Sequence, residues 1–320
     1  MSETKTILIT GATGFIGSHL CQAALDGGFN TWAALRSGSS RRWLQQPGLQ
    51  FITLDFTSKE QMSAQLNATG LHPDIVIHAG GATKCLDPAD FMLHNYQSTV
   101  NLVEALAGTG RLPRQMVYLS SLSAIYGSAY GESKLKTEKW LQTTPLLAGT
   151  SLLIFRPTGV YGPRERDYFM MAQSIRRHID FAVGFQPQKL TFVYVADLVG
   201  AIFAAINRGI EGGTFNVTDG QVYSSRQFSD LLQHELGVRH VIHITSPLWM
   251  LHIISILSET WGRITHRPST LNRDKYRIMA QRDWTCDISP MLDTIGYTPQ
   301  WQLPRGVHAT IEWYRQQGWI

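Results

Sequence analysis

Cysteine is scarce in this 320-residue chain: Cys21, Cys85 and Cys286 are too few and too widely spaced for a disulfide framework or a zinc pattern. A reduced, cytoplasmic setting is therefore expected. Charge is sparse too, at 16% of residues, and the formal net charge of +4 is small. No basic run concentrates it, which argues against nucleic acid as a partner. The chain starts Met1-Ser2-Glu3-Thr4-Lys5 and passes at once into an apolar strand, so no signal peptide is expected. Long hydrophobic runs are missing as well. The most apolar stretch, Pro247 to Leu257, is about half the length needed to cross a bilayer, so no transmembrane segment is expected. There is no internal repeat and no low-complexity linker. What remains is a globular chain, 43% hydrophobic, long enough for one large domain or two intimate ones.

What is present begins at residues 5 to 17, Lys5-Thr-Ile-Leu-Ile-Thr-Gly-Ala-Thr-Gly-Phe-Ile-Gly17. Ile7, Leu8 and Ile9 read as a buried strand, and Phe15, Ile16, Leu20, Ala23 and Ala24 recur at helical spacing. A strand turning through Gly11, Gly14 and Gly17 into a helix suits a phosphate cradle. Its glycines permit a tight turn and close backbone approach, and the helix N-terminus offers unpaired N–H groups to an anion. The spacing is G-x-x-G-x-x-G rather than G-x-G-x-x-G, so the triplet alone is a weak signal that its position strengthens.

Further strands are expected at Phe29 to Leu35, Gln50 to Leu54, Asp74 to His78, Gln115 to Ser120 and Leu152 to Phe155, with helical patterns between them. That alternation predicts an α/β fold, a Rossmann-like doubly wound parallel sheet with a smaller C-terminal α/β substrate-binding region. Residues 1–155 are expected to form the dinucleotide-binding domain, its sheet completed by later strands, and 156–320 mainly the substrate-binding region. Arg36 stands at the end of the second strand, where an acid would suit the ribose of NAD and an arginine suits a 2′-phosphate. The cofactor is thus NADP(H) or NAD(H), with a lean toward NADP(H). Asp55 and Phe56 stand where the adenine edge could be held. Ala79, Gly80 and Gly81 allow close cofactor approach beyond the fourth strand. His78 is expected to be packed or hydrogen-bonded rather than to donate a proton.

Tyr130 and Lys134 are four apart on one expected helical face, just after the serine-rich strand end at Ser120, Ser121 and Ser123. An ammonium beside a phenol favours phenolate and would lower its pKa from ~10, and a serine hydroxyl can hold a carbonyl or hydroxyl. Asp197 is expected to cap the helix Leu198 to Ile206. Arg164-Glu165-Arg166 offers a grip on a substrate phosphate, or a solvated loop with internal ion pairs.

Six segments together resemble the extended short-chain dehydrogenase/reductase superfamily, in its NAD-dependent epimerase/dehydratase group. They are Thr10-Gly-Ala-Thr-Gly-Phe-Ile-Gly17, His78-Ala-Gly-Gly81, Tyr118-Leu-Ser-Ser121, Tyr130-x-x-x-Lys134, Arg156-Pro-Thr-Gly-Val-Tyr-Gly-Pro163 and Phe192-Val-Tyr-Val-Ala-Asp197. Ile295-Gly-Tyr-x-Pro299 adds a further echo. The resemblance implies catalytic roles for Ser121, Tyr130 and Lys134. It implies cofactor contacts from Gly11, Thr13, Gly14, Phe15, Ile16, Gly17, Arg36, Asp55, Phe56, Ala79, Gly80, Gly81, Tyr130, Lys134 and Pro157. The function implied is interconversion of a secondary alcohol and a ketone by hydride transfer. The alternatives are a nucleotide-sugar epimerase with tightly bound NAD and a non-catalytic NAD(P)-binding regulatory protein. No metal is expected, and a homodimer is a possible assembly.

The chain departs from the family at two places. Ser121 and Tyr130 are nine positions apart, shorter than the extended family's interval, which removes a loop that normally covers the substrate. Leu122, Ser123 and Ala124 stand where family dehydratases place an acidic pair, so dehydration is disfavoured. Gly159 replaces the asparagine of UDP-galactose epimerase-like members, which does not favour a UDP-hexose. The segment Ser246 to Trp261 is unusually apolar, with Trp249, Ile253 and Leu257 on one face. Core packing, a greasy substrate mouth and a surface resting on membrane all fit it. A mouth would imply a small-molecule substrate with an apolar part.

Overall fold

The chain is described by a computed structural model that covers residues 4–265 and 272–320. Its organising strand is β1 (Thr6–Thr10), whose Ile7, Leu8 and Ile9 are fully buried. Successive strand residues point to opposite faces. Ile7 and Ile9 accordingly join Leu20, Ala24, Leu198 and Ile202 on one side, and Leu8 joins Leu66, Leu102 and Leu106 on the other. A strand apolar on both faces must be covered on both, which is why this sheet is sandwiched between helices. Each such side chain contributes roughly 1.5–3 kcal/mol by leaving water.

The helices are α1 (Phe15–Asp26), α2 (Lys59–Thr69), α3 (Ser98–Gly108), α4 (Ala129–Thr143) and α5 (Asp167–Arg176), followed by α6 (Val195–Asn207), α7 (Ser225–Leu236), α8 (Leu248–Thr265), α9 (Arg273–Ala280) and α10 (Leu303–Gln316). The other strands are β2 (Asn30–Leu35), β3 (Gln50–Thr53), β4 (Ile75–His78), β5 (Gln115–Leu119), β6 (Ser151–Pro157), β7 (Gly159–Tyr161), β8 (Ile179–Val183), β9 (Phe192–Tyr194), β10 (Gly212–Val217) and β11 (Ile242–Ser246).

Seven strands form one sheet in the order β10-β6-β5-β4-β1-β2-β3, parallel at every pairing. The order reverses between β1 and β4, and a crevice opens beyond the carboxyl ends there. β10 comes from the second half of the chain and lies beside β6. Two small parallel pairs, β7 with β9 and β8 with β11, lie in the second half of the chain.

Two local expectations are corrected. The helical pattern expected between the Asp74–His78 and Gln115–Ser120 strands is not one α-helix: Met92–Gln97 is a π-helix that runs into α3. The wider turn carries buried Asn95, whose Oδ1 accepts from Ala82 N–H at 2.7 Å and whose Nδ2 donates to Ser133 at 2.9 Å. Asp197 is not a helix cap either. It lies inside the first turn of α6, 1% exposed, and accepts from the Tyr297 hydroxyl at 2.8 Å, Gln300 N–H at 2.9 Å and Trp301 N–H at 2.8 Å. A buried carboxylate needs such donors, and these come from a segment about a hundred residues away that no local pattern reveals.

Candidate active site

The turn after β1 is built by steric exclusion. Gly11 has φ +67°, and a Cβ there would stand 2.5 Å from the Ala79 carbonyl oxygen of the neighbouring strand end. A Cβ on Gly17 would collide with the Gly11 carbonyl. Gly14 caps α1 without any side-chain bond, and no acid occupies the first helical turn. The N–H groups of Phe15, Ile16 and Gly17 are thereby left for an anion, so the cradle fits a dinucleotide pyrophosphate. Thr13 is half-buried in this turn. His78 bonds Thr10 at 2.6 Å and Thr99 at 2.9 Å, and burial lowers its pKa to about 3. It is a neutral structural residue at the strand end.

The remaining cofactor candidates lie at strand ends around the crevice. Arg36 is exposed just past β2. The Asp55 carboxylate accepts from the Thr57 hydroxyl at 2.6 Å and Thr57 N–H at 2.9 Å, which holds its pKa below the usual range. Phe56 is fixed by its carbonyl, which accepts from Asn101 at 3.0 Å. Gly80 N–H donates to Thr10 at 3.2 Å. At Gly81 a Cβ would stand 2.6 Å from Asn95 Oδ1 and 3.5 Å from Lys134 Nζ, so a larger residue would jam the crevice against the lysine. Pro157 ends β6 and lines the adjoining cavity.

The structure separates the neighbouring serines. Ser120 turns inward and donates to Glu138, which also binds Arg156 through Nε at 2.9 Å. Ser121 faces the cavity, accepts from Ser123 N–H at 3.1 Å and stands next to the Tyr130 phenol, whose ionised form it favours. Ser123 also lines the cavity but is 8% exposed. Lys134, 5% exposed, donates to the Leu119 carbonyl at 3.0 Å, its Nζ 4.9 Å from the centre of the Tyr118 ring.

The expected effect of lysine on the phenol is not what this geometry produces. Burial pushes the Tyr130 phenol up to about 12, against the neighbouring Ser121 hydroxyl that favours phenolate, and the Asp274 charge adds to the rise. Burial also brings Lys134 down to about 8, with Glu138 opposing. Four-residue spacing puts the two side chains on one helical face, but the ammonium turns to the β5 carbonyl instead.

Sequence reasoning missed Asp274. This α9 residue, 7% exposed, accepts from Ala129 N–H at 2.5 Å, and the neighbouring Tyr130 N–H helps stabilise its charge. It satisfies an orphan donor at the start of α4 that Ser128, bonded to Gly131 N–H at 3.0 Å, leaves over. With the Ser121–Tyr130 link so short, α9 seats the tyrosine from the far half of the chain. No local pattern marks it, because Asn272 caps α9 and the helix start that Asp274 holds is 145 positions away.

A cavity of about 460 Å³ adjoins Ser121. Met171, Phe181, Leu190, Phe228, Met279 and Trp284 supply apolar wall. Polar side chains, among them Arg226, Lys275 and Asp180, also line it; Asp180, 4% exposed, accepts from Ser229 at 3.1 Å and Arg226 at 3.2 Å. Trp249, Ile253 and Leu257 do not line it. Their face of α8 is turned to solvent, so neither the core nor the mouth reading of that stripe holds. The Arg164 grip is corrected as well: its guanidinium donates to Ser18 at 2.9 Å, and Glu165 accepts from Asp167 and Tyr168 N–H groups at 2.8 and 2.6 Å.

A doubly wound parallel sheet with a glycine cradle at its switch point defines a dinucleotide-binding enzyme fold. Residues 7–218 match the NAD dependent epimerase/dehydratase family, and the chain belongs to that family of NAD(P)-dependent oxidoreductases and epimerases. Among its relatives is the ceramide reductase of Caulobacter vibrioides, 24% identical over 98% of this chain and 96% of its own length. The structure of Bordetella bronchiseptica WbmG in complex with NAD is similar with TM-score 0.78 and 18% identity, over 99% of this chain and 96% of that one. The UDP-glucose 4-epimerase of Thermotoga maritima, solved with UDP-glucose, gives TM-score 0.77 and 20% identity, over 98% and 99%. No helix among the described residues is long and apolar enough to cross a membrane.

Proposed function

We propose that the protein is an NAD(P)-dependent oxidoreductase that interconverts a secondary alcohol and a ketone on a substrate with a large apolar part. The observation that carries this is Ser121 placed next to the Tyr130 phenol beside a largely apolar-walled cavity. Bound nicotinamide supplies or accepts the hydride. Ser121 holds the substrate oxygen, and Tyr130 gives it a proton in reduction and takes the proton in oxidation. The phenol, raised by burial, is protonated at neutral pH, as the reduction step requires. Lys134, beside Gly81, would hold the nicotinamide ribose. Exposed Arg36 would meet a 2′-phosphate, which supports NADP(H). The apolar cavity wall, and a relative named for reducing ceramide, support a lipid-like substrate over a sugar nucleotide.

The test is oxidation of NADPH and NADH by the full chain with a series of ketones of rising chain length. Tyr130→Phe should lower turnover by ~10²–10⁴ while leaving cofactor affinity nearly intact. Retention of more than half the activity removes Tyr130 from the mechanism. NAD that co-purifies and is not consumed while a sugar nucleotide is interconverted would favour the epimerase reading instead.

A further inference from the structure

We propose that Asp180 accepts a hydrogen bond from an uncharged donor on the substrate. The substrate is then an amphiphilic ketone that carries a hydroxyl or an amide N–H away from the reacting carbon. Asp180 is the one charged residue of β8, Ile179-Asp-Phe-Ala-Val183, and its side chain is 5% exposed. Its contacts fall on one oxygen. Oδ2 accepts from the Ser229 hydroxyl at 3.1 Å and from Arg226 Nη1 at 3.2 Å, and His243 Nδ1 lies 3.0 Å from it. Among the described residues no donor reaches Oδ1, and that oxygen is not sealed by packing. Asp180 lines the cavity that Ser121 also lines, so Oδ1 is open to a ligand there. A carboxylate kept only to tie α7 to β8 could engage the Arg226 fork with both oxygens. Here one nitrogen meets one oxygen, and the other oxygen, on a nearly buried side chain, is costly unless something donates to it.

Charge narrows the donor. Among the described residues that line the cavity, Arg226 and Lys275 are the other charged side chains. An ammonium on the substrate would meet those two cations, and an anion would be repelled by the carboxylate it has to reach. A neutral O–H or N–H meets neither obstacle. Phe181, Phe228 and Met279 belong to the apolar wall of the same cavity. Such a wall holds a ligand but discriminates little between chains of similar size. A placed acceptor discriminates more, because a ligand without the donor leaves it unpaired. Hydroxyl and amide share this chemistry, and the test separates them. That the reacting group is a ketone rests on the oxidoreductase reading; the donor contact at Asp180 does not.

The experiment uses the full chain and straight-chain methyl ketones of one length, bearing a hydroxyl or an acetamido group moved stepwise along the alkyl chain. Each is compared with its donor-free partner, the methyl ether or the N-methylacetamide. Affinity is read by titration calorimetry with the oxidised nicotinamide cofactor, which cannot reduce a ketone, and kcat/KM with the reduced one. At the best position the donor-bearing ketone should bind and turn over about tenfold better than its partner. Whichever of hydroxyl and amide gives the larger ratio identifies the donor. Asp180→Asn reverses the site. Ser229 and Arg226 still need an acceptor, so the amide oxygen takes the place of Oδ2 and the NH2 group faces the cavity. The ratio should then fall by about tenfold or more, with the ether gaining on the alcohol. Both members weakened alike, with the ratio unchanged, would make Asp180 a structural ion pair and overturn the proposal. So would a parent protein with no donor preference at any position, a result that needs no variant to fold. Donor-dependent binding without turnover refutes the oxidoreductase reading alone, and turnover without donor preference refutes the role of Asp180 alone.

Discussion

Removing the Asp274 carboxylate should unseat the helix that carries Tyr130. The carboxylate accepts from Ala129 N–H at 2.5 Å in a site 7% exposed, beside the Tyr130 N–H that helps stabilise its charge. Charge-assisted hydrogen bonds contribute about 1.5–3 kcal/mol each. Ser128 still holds Gly131, so Asp274→Ala should cost a net ~1.5–3 kcal/mol. A displaced phenol also loses reacting geometry, and kcat/KM should fall by about tenfold or more. Asp274→Asn separates charge from support, because its amide oxygen can still accept. The Asp274 charge helps hold Tyr130 at about 12, after burial, so the asparagine variant should lower the phenol pKa. Alcohol oxidation needs phenolate, and its rate should then rise at lower pH than in the parent. Ketone reduction needs phenol, and its alkaline loss should likewise begin at lower pH. Thermal melts together with pH profiles of kcat/KM in both directions check this. An unchanged melting temperature for Asp274→Ala, with an unshifted profile for Asp274→Asn, would refute the reasoning.

Two further outcomes follow from single residues. Arg36→Ala should weaken NADPH binding by roughly 1.5–3 kcal/mol and leave NADH almost unchanged, as titration of both cofactors would show. Equal effects would make the arginine an ordinary surface residue. Asp197→Ala removes the acceptor of three bonds at a site 1% exposed and should cost ~3–5 kcal/mol in urea unfolding. A loss under about 1 kcal/mol would mean that the α6 clamp on Tyr297–Trp301 is dispensable.

The sequence by itself determined the features whose physics is local. The β1–glycine–α1 turn, the β/α alternation and the shared face of Tyr130 and Lys134 were all legible, because strand period, helical period and backbone permission act within a few residues. Periodicity also marked the apolar stripe of α8. It could not tell which stripe is covered, since the buried one holds Ser255 and Glu259 and runs against the usual amphipathic order. The tertiary structure alone turned Ser120 toward Glu138 and Ser121 toward Tyr130. It alone brought Asp274 to a helix start 145 positions away and Asp197 to Trp301. It also aimed Lys134 at the Leu119 carbonyl, where burial rather than the ammonium governs the phenol. A buried carboxylate or ammonium takes whatever partners the packed chain brings within reach, and chain distance does not enter that choice.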